Sequence, residues 1–216
     1  FLSDRGDKEK PAQIYVIPFT GGEASQLTHI DGEIGQMSWS PNGKQILCTV
    51  RKTDVEVAER EKDAQKKQLG VVARHYERLF YKLDGYGYLP HERTHIWAVE
   101  AQTGRAKQLT DGAVYDEIFP AWSPDGKWIT FISNRSEEPD KTPDRTDLYV
   151  MPSTGGEFRK IDTPAGEKGY PAFSPDGKLI AYLGVEGEGQ YYRNTNLWVV
   201  AADGTSEARN LTGKHD

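Results

Sequence analysis

The run His91-Glu92-Arg93-Thr94-His95 matches the H-E-x-x-H pattern of zinc proteases, in which two histidines bind Zn²⁺ and the glutamate acts as general base. That chemistry needs a helix, where residues four apart lie about 5–6 Å apart at Cβ. Here Pro90 precedes the run and the apolar stretch Ile96-Trp97-Ala98-Val99 follows directly, so the pattern predicts a loop entering a strand. On a strand, residues four apart are separated by roughly 13 Å. We therefore predict no bound metal and no other cofactor.

The serines and the cysteine offer no nucleophile for acyl transfer. A Gly-x-Ser-x-Gly elbow is missing from the sequence, and the serines recur as turn residues instead. Cys48 lies in the apolar run Ile46-Leu47-Cys48-Thr49-Val50, which favours a small buried hydrophobe over a reactive thiol. We predict no catalytic residue in this chain, and the residue types single out no binding residue.

Asp116 and Glu117 form an acidic pair just before a predicted strand. Such a pair could hold the amine of a substrate. Acidic pairs in loops are more often simply solvated, and the sequence leaves both interpretations open.

One turn motif recurs down the chain and is followed each time by an alternating apolar run. Proline fixes φ, the Asn or Asp side chain caps the turn, and glycine takes the positive φ. The three copies are Trp39-Ser40-Pro41-Asn42-Gly43-Lys44, Trp122-Ser123-Pro124-Asp125-Gly126-Lys127 and Phe173-Ser174-Pro175-Asp176-Gly177-Lys178.

A second set of apolar runs has the composition of strands that are covered on both faces. Each run leads through a glycine-containing turn to a short closing segment such as Gln26-Leu27-Thr28 or Gln108-Leu109-Thr110. Each unit therefore predicts one four-stranded antiparallel sheet. The second runs are Ile14-Tyr15-Val16-Ile17, Ile96-Trp97-Ala98-Val99, Leu148-Tyr149-Val150-Met151 and Leu197-Trp198-Val199-Val200.

The spacing of these units predicts an all-β, partial β-propeller, because Ser123 and Ser174 lie 51 positions apart, near the period of a propeller blade. Residues 1–5 resemble residues 131–135 of a second strand, so we interpret residues 1–29 as a truncated blade. A blade at 30–110 with an insertion at about 52–93 follows, and then blades at 111–164 and 165–216. Propellers usually have about four to eight blades, so we interpret the chain as a piece of a larger protein.

The insertion divides into two halves. Residues 54–69 are dense in charge, with Thr53 as a possible cap and Gly70 as a stop, and either an exposed helix or a mobile loop fits this half. Residues 78–89 are predicted to be extended, with a turn at Asp84-Gly85.

Composition excludes several classes of function. The chain has 216 residues, a net charge of −6 and a pI near 5.5, so it lacks the basic footprint of a nucleic-acid-binding protein. No apolar run approaches the ~20 residues of a membrane span. The single cysteine cannot form an internal disulfide, which favours a cytoplasmic location.

The whole chain resembles the N-terminal β-propeller of the prolyl oligopeptidase family of serine peptidases, of the acylaminoacyl-peptidase type. The resemblance lies in residues 122–135, in the insertion ending Tyr81-Lys82-Leu83-Asp84-Gly85-Tyr86-Gly87-Tyr88-Leu89 before His95-Ile96-Trp97, and in the closing Leu-Thr pairs. TolB-type propellers share the Ser-Pro-Asp-Gly repeat, so the Asp-Gly-Tyr-Gly-Tyr-Leu segment decides between the two.

The resemblance implies about three and a half of seven blades, which cap an α/β-hydrolase domain with a Ser-Asp-His triad that this chain lacks. The expected partners are the missing blades, that C-terminal domain and short peptide substrates, with self-association of the chain as a further possibility. Some relatives bind the substrate amine with a Glu pair in a propeller insertion, but Asp116-Glu117 lies in no matching motif.

The resemblance therefore predicts the non-catalytic, substrate-gating part of a serine peptidase that acts on short peptides. The alternative is a TolB-like propeller without enzymatic activity that binds a protein partner through its face or loops.

Overall fold

The computed structural model describes residues 1–6, 10–85, 87–190 and 192–214. These residues form strands grouped mainly into successive antiparallel sheets, together with two short helices. The elements are β1 (Leu2–Ser3), β2 (Gln13–Val16), β3 (Ser25–Gln26), β4 (Gly32–Trp39), β5 (Gln45–Lys52), α1 (Val55–Lys62), α2 (Ala64–Leu69), β6 (Lys82–Leu83), β7 (Gly87–Tyr88), β8 (Thr94–Glu100), β9 (Ala106–Gln108), β10 (Glu117–Trp122), β11 (Trp128–Ser133), β12 (Asp147–Pro152), β13 (Arg159–Ile161), β14 (Lys168–Phe173), β15 (Leu179–Gly184), β16 (Asn196–Ala201) and β17 (Arg209–Asn210).

The sheets follow the order of the chain. A three-stranded sheet β1-β2-β3 comes first, and the four-stranded sheets β4-β5-β8-β9, β10-β11-β12-β13 and β14-β15-β16-β17 follow. The predicted all-β class with four-stranded antiparallel blades is confirmed. The first strand of the third sheet contacts both neighbouring sheets, since β10 approaches β14 on one side and β4 and β5 on the other.

The repeated turn motif has one hydrogen-bond pattern. The Ser123 hydroxyl donates to Asp125 Oδ1 at 2.6 Å and accepts the Trp128 N–H at 2.9 Å, while Asp125 Oδ1 also accepts the Lys127 N–H at 3.0 Å. The Ser123 hydrogen bond is the main reason why the pKa of Asp125 lies below its usual value. Gly126 takes a φ of 71° that disfavours other residues. The turns at Ser40 and Ser174 repeat this pattern.

The threonine of the closing Leu-Thr pair ties the fourth strand of a sheet to the third. The hydroxyls of Thr28, Thr110 and Thr212 each accept a backbone N–H at 2.9 Å, from Ile14, Ile96 and Leu197 respectively. This contact gives a physical reason for the Leu-Thr repeat.

Adjacent sheets stack through alternating faces of their central strands. Leu47 and Ile96 of the second sheet pack against Phe131 and Met151 of the third. The opposite face of the third sheet packs on the fourth, where Ile132, Leu148 and Val150 meet Ile180, Tyr182, Trp198 and Val200. Because both of its faces are covered, the third sheet has an uninterrupted apolar run, residues 148–151, in its third strand.

A cation–π contact recurs in three of the sheets. The cation lies at the end of one strand or just after it, over an aromatic ring of the next strand in the sheet. Arg5 lies 5.2 Å from the centroid of the Tyr15 ring, Lys52 5.4 Å from that of Trp97, and Arg135 5.9 Å from that of Tyr149.

The charged half of the insertion, residues 54–69, forms two short helices. Of the two alternatives that the sequence left open, the helix is therefore correct and the mobile loop is not. The predicted cap at Thr53 is wrong, because Asp54 is the N-cap residue of α1 and its side chain makes no capping bond. The Thr53 hydroxyl donates instead to Asp31 at 2.9 Å. Gly70 ends α2 with a φ of 71°, as expected. Neither helix could cross a membrane, and the same holds for every helix in the described part of the chain.

The second half of the insertion contains the predicted turn at Asp84-Gly85, between β6 and β7. The Asp-Gly-Tyr-Gly-Tyr-Leu segment, on which the resemblance to the peptidase family depends, also includes Tyr86, which lies outside the described residues. The hairpin carries an aromatic cluster, in which the Tyr76 ring lies 4.9 Å from that of Tyr81 and 5.8 Å from that of Tyr88.

The fourth sheet presents an apolar face to solvent. Leu179, Leu183, Leu197 and Leu211 are each more than a third exposed. At the repeat positions of Leu183 and Leu197, the third sheet has Ile132 and Leu148, which are fully buried against its neighbour. The uncovered face therefore has the composition of a contact between blades.

We expect this face to drive self-association of the isolated chain, because exposed apolar sheet faces favour burial. The double variant Leu183→Lys with Leu197→Glu places opposite charges at a cross-strand pair and should lower the apparent mass at high concentration. The matched control is Val55→Lys with Leu69→Glu on the exposed insertion helices. Light scattering that shows a wild-type monomer at all concentrations would refute the expectation.

Candidate ligand-binding end of the sheets

The insertion meets the third sheet at one end of the stack. Second strands end there and third strands begin, since β5 ends at Lys52, β8 begins at Thr94, β11 ends at Ser133 and β12 begins at Asp147. The insertion leaves from this end and folds over the loop that joins β11 to β12. A cavity of about 330 Å³ lies between them.

The cavity has apolar walls and a charged rim. Phe80, Leu83 and Leu89 come from the insertion, whereas Ile118 and Pro143 come from the third sheet and its loop. The charged lining residues are Arg51, Arg78, Glu92, Arg93, Asp116 and Asp140.

Asp140 fastens the insertion to the third sheet. Its carboxylate accepts hydrogen bonds from Arg78 Nε at 3.3 Å, Arg78 Nη2 at 3.0 Å and the Phe80 N–H at 3.1 Å. Burial opposes ionisation of Asp140, but the Arg78 guanidinium and the Phe80 N–H hold the pKa of the carboxyl below its usual value. The partners are 60 or more residues apart in the chain, so sequence patterns give no signal for the contact.

Asp116 and Glu117 separate into different environments. Asp116 is partly exposed, accepts the Thr94 N–H at 2.7 Å and pairs with Arg93 at 3.2 Å. Glu117 is completely buried, so the expectation that the pair is simply solvated is wrong for Glu117. The reason is that Glu117 opens strand β10 and points into the contact between two sheets.

The Glu117 carboxylate has three partners. It accepts hydrogen bonds from His95 Nδ1 at 2.7 Å, from the Thr110 hydroxyl at 2.8 Å and from the Arg135 guanidinium. Arg135 also lies over the rings of Tyr115, at 4.9 Å, and Phe158, at 4.4 Å. A buried charge with cationic and hydroxyl partners is a structural anchor for this end of the sheets.

The H-E-x-x-H run begins in a loop and ends in β8, as predicted. The His95 ring faces two acceptors, Glu117 through Nδ1 and the Gly112 carbonyl through Nε2 at 3.0 Å. The His91 ring contacts the carbonyl of His75 at 3.1 Å. Both rings are thus used in separate contacts. Within the described ranges, no group of three residues of metal-ligating type is clustered, and the expected absence of metal stays a prediction.

Cys48 is fully buried in the core between the first two sheets. Desolvation raises the pKa of its thiol to about 12. The side chain is therefore a small neutral hydrophobe, as the sequence indicated.

Lys168 repeats the position of Glu117 in the next sheet with the opposite charge. It opens β14, is almost completely buried, and its Nζ donates to the carbonyls of Thr146 at 2.8 Å and Gly166 at 2.9 Å. Desolvation lowers the pKa of Lys168 to about 8, against a smaller opposing effect of Asp147. Asp147 in turn occupies the repeat position of His95.

Comparison with known proteins separates fold from family. No family model matches the chain. The acylaminoacyl peptidase of Pyrococcus horikoshii superposes with a TM-score of 0.67 over 95% of this chain and 29% of that one, at 16% identity. A TolB-like protein from Agrobacterium tumefaciens gives a TM-score of 0.57 over 93% of this chain and 56% of that one, at 18% identity. At these identities the superpositions show the propeller fold.

One sequence relative is the uncharacterised peptidase YuxL of Bacillus subtilis. It is 37% identical over 153 residues, covering 70% of this chain and 22% of YuxL. Together, this relative and the superposition support the interpretation of the chain as a propeller fragment of a peptidase of the prolyl oligopeptidase type. The chain spans under a third of the length of the peptidases that it matches.

Glu117→Gln should destabilise the fold by about 3 kcal/mol, because it leaves the buried His95 and the partly buried Arg135 without their carboxylate. Urea unfolding of the variant and the wild type measures the difference. Asp116→Asn is the matched control, since its side chain is partly exposed, and its effect should be clearly smaller. Equal losses for the two variants would contradict an anchoring role for Glu117.

Lys168 should make stability depend on alkaline pH. Its pKa of about 8 lies below the ordinary 10.5, so between these values the unfolded chain binds more protons than the folded chain. The free energy of unfolding of the wild type should therefore rise relative to that of Lys168→Met as the pH increases from 8 to 10.5. Lys127→Met at an exposed turn is the control and should show no such difference. A flat or falling difference for Lys168→Met would exclude the burial effect.

Proposed function

We propose that the chain is the substrate-gating propeller portion of a serine peptidase of the acylaminoacyl-peptidase type that acts on short peptides. The observation that carries the proposal is the 37% identity with the peptidase YuxL over 153 residues. The superposition on the acylaminoacyl peptidase of Pyrococcus horikoshii over 95% of the chain supports the same assignment.

In this proposal the bond-breaking groups lie in a C-terminal α/β-hydrolase domain. The propeller contributes selection by size, since a closed ring of blades limits what reaches an enclosed site. The approach of β10 to both β14 and β4 supports such a ring, because first strands that contact one another would surround its opening. The buried state and raised pKa of Cys48 agree with a chain that has no thiol nucleophile of its own.

We place the protein in the cytoplasm, a proposal that rests on its single cysteine.

A second candidate function is a non-enzymatic propeller that binds a protein partner. The observation that favours it is the superposition on the TolB-like protein of Agrobacterium tumefaciens, which covers 56% of that chain and so matches about twice the share seen with the peptidase. The sequence downstream of this chain separates the two candidates. A Gly-x-Ser-x-Gly elbow after further blades supports the peptidase, and its absence supports the binding module.

Hydrolysis of an acyl-amino-acid anilide provides the functional test. We expect this chain to be inactive, because its sequence has no nucleophile elbow. A longer protein that includes the downstream domain should be active and should be blocked by a serine-directed phosphonate. Stoichiometric labelling of this chain by the phosphonate would contradict the proposal.

Gating is tested in the longer protein by deleting one blade. Deletion should increase cleavage of long peptides at least about tenfold relative to cleavage of the small anilide, since only the long substrate depends on the opening. The control is the Leu69→Glu variant on the insertion, which leaves the ring closed. An unchanged ratio of the two rates in the deletion variant would remove the gating role.

A further inference from the structure

Two of the charged residues that line the cavity beneath the insertion form no ion pair with the residues that the structure describes. Arg78 pairs with Asp140 and Arg93 pairs with Asp116. Arg51 has no carboxylate partner within the described ranges. Its Nη2 donates to the Thr94 hydroxyl at 3.1 Å, and its enclosed Nε has no hydrogen-bond partner.

Glu92 is the corresponding acidic group. Its backbone N–H donates to Asp54 at 3.1 Å, which fixes the end of the insertion. Glu92 lines the cavity, and its carboxylate forms no ion pair with any residue that the structure describes. Arg51 and Glu92 are also not paired with each other, so the cavity offers a separate cation and anion.

The rest of the lining limits the size and polarity of a ligand. A volume of about 330 Å³ lies at the lower end of the ~300–1,000 Å³ range of ligand pockets, so the space suits a small molecule. Phe80, Leu83 and Leu89 on one wall and Ile118 and Pro143 on the other favour apolar side chains. A purely anionic ligand would face Glu92, and a purely cationic one would face Arg51.

We propose that this cavity binds a short zwitterionic peptide of about two residues. Its carboxylate contacts the Arg51 guanidinium, its ammonium group contacts Glu92, and its apolar side chains lie between the insertion and the third sheet. The inference rests on the proposed function only in choosing a peptide as the ligand. It assigns to the propeller a site that holds a small substrate or product apart from any hydrolase domain.

The test is calorimetric titration of this chain with leucyl-leucine. Leucyl-leucine amide, which lacks the carboxylate, and N-acetyl-leucyl-leucine, which lacks the ammonium, should each bind about tenfold or more weakly, because each loses one charged contact. Arg51→Gln should abolish the difference between the dipeptide and its amide. Glu92→Gln should abolish the difference between the dipeptide and its N-acetyl form.

Arg105→Gln and Glu100→Gln are the matched controls, since they remove the same charges from an exposed ion pair outside the cavity. Both should bind all three ligands as the wild type does. If Arg51→Gln fails to fold, the three ligands on the wild-type chain still decide the question. The proposal is wrong if leucyl-leucine shows no saturable binding, if either blocked form binds as tightly as leucyl-leucine, or if the control variants lose binding to the same extent as Arg51→Gln and Glu92→Gln.

This titration involves no hydrolysis, so it separates the binding site from the gating proposal. Failure to bind leucyl-leucine would leave the gating function standing. An inactive longer protein would remove the peptidase assignment and leave the dipeptide site to be judged on its own.

Discussion

The apolar faces of neighbouring sheets in this protein cover one another, and the rest of the structure depends on that stacking. The third strands carry apolar side chains without interruption, so neither face can remain in water at low free energy. Stacking solves this by placing one face of each sheet against the opposite face of the next, as Phe131 and Met151 do toward one neighbour and Ile132 and Leu148 toward the other. The turns and the Leu-Thr pairs maintain the shape of each sheet, but the stacking holds the sheets together.

Buried charged residues also recur at equivalent positions of successive sheets, but the sign of the charge differs. Glu117 and Lys168 occupy equivalent positions at the start of successive first strands, and both are buried. Glu117 is stabilised by His95, Thr110 and Arg135, whereas Lys168 donates to backbone carbonyls. The same backbone position can therefore hold a buried residue of either charge, provided that each charged group has hydrogen-bond partners.

The insertion makes one end of the stacked sheets different from the rest, which the repeated blades alone do not. The blades alone present similar turns and strand ends around the stack, so they distinguish one position from another only weakly. The insertion places Phe80 and Leu89 over the loop between β11 and β12, and Asp140 holds it there through Arg78 and the Phe80 N–H. The asymmetry of the molecule at this end, and with it the candidate ligand site, depends on that contact.

The sequence by itself determined the all-β class, the four-stranded units, the turn geometry, the burial of Cys48 and the loop-to-strand position of the H-E-x-x-H run. These features depend on local φ preferences and on hydrophobic periodicity, which a short window of residues contains. Only the tertiary structure decided that Glu117 is buried beside His95 and Arg135, that Asp140 holds the insertion, and that Arg51 and Glu92 line one cavity. These contacts join residues 18 to 62 positions apart, and their energies depend on burial that exists only after the sheets have stacked.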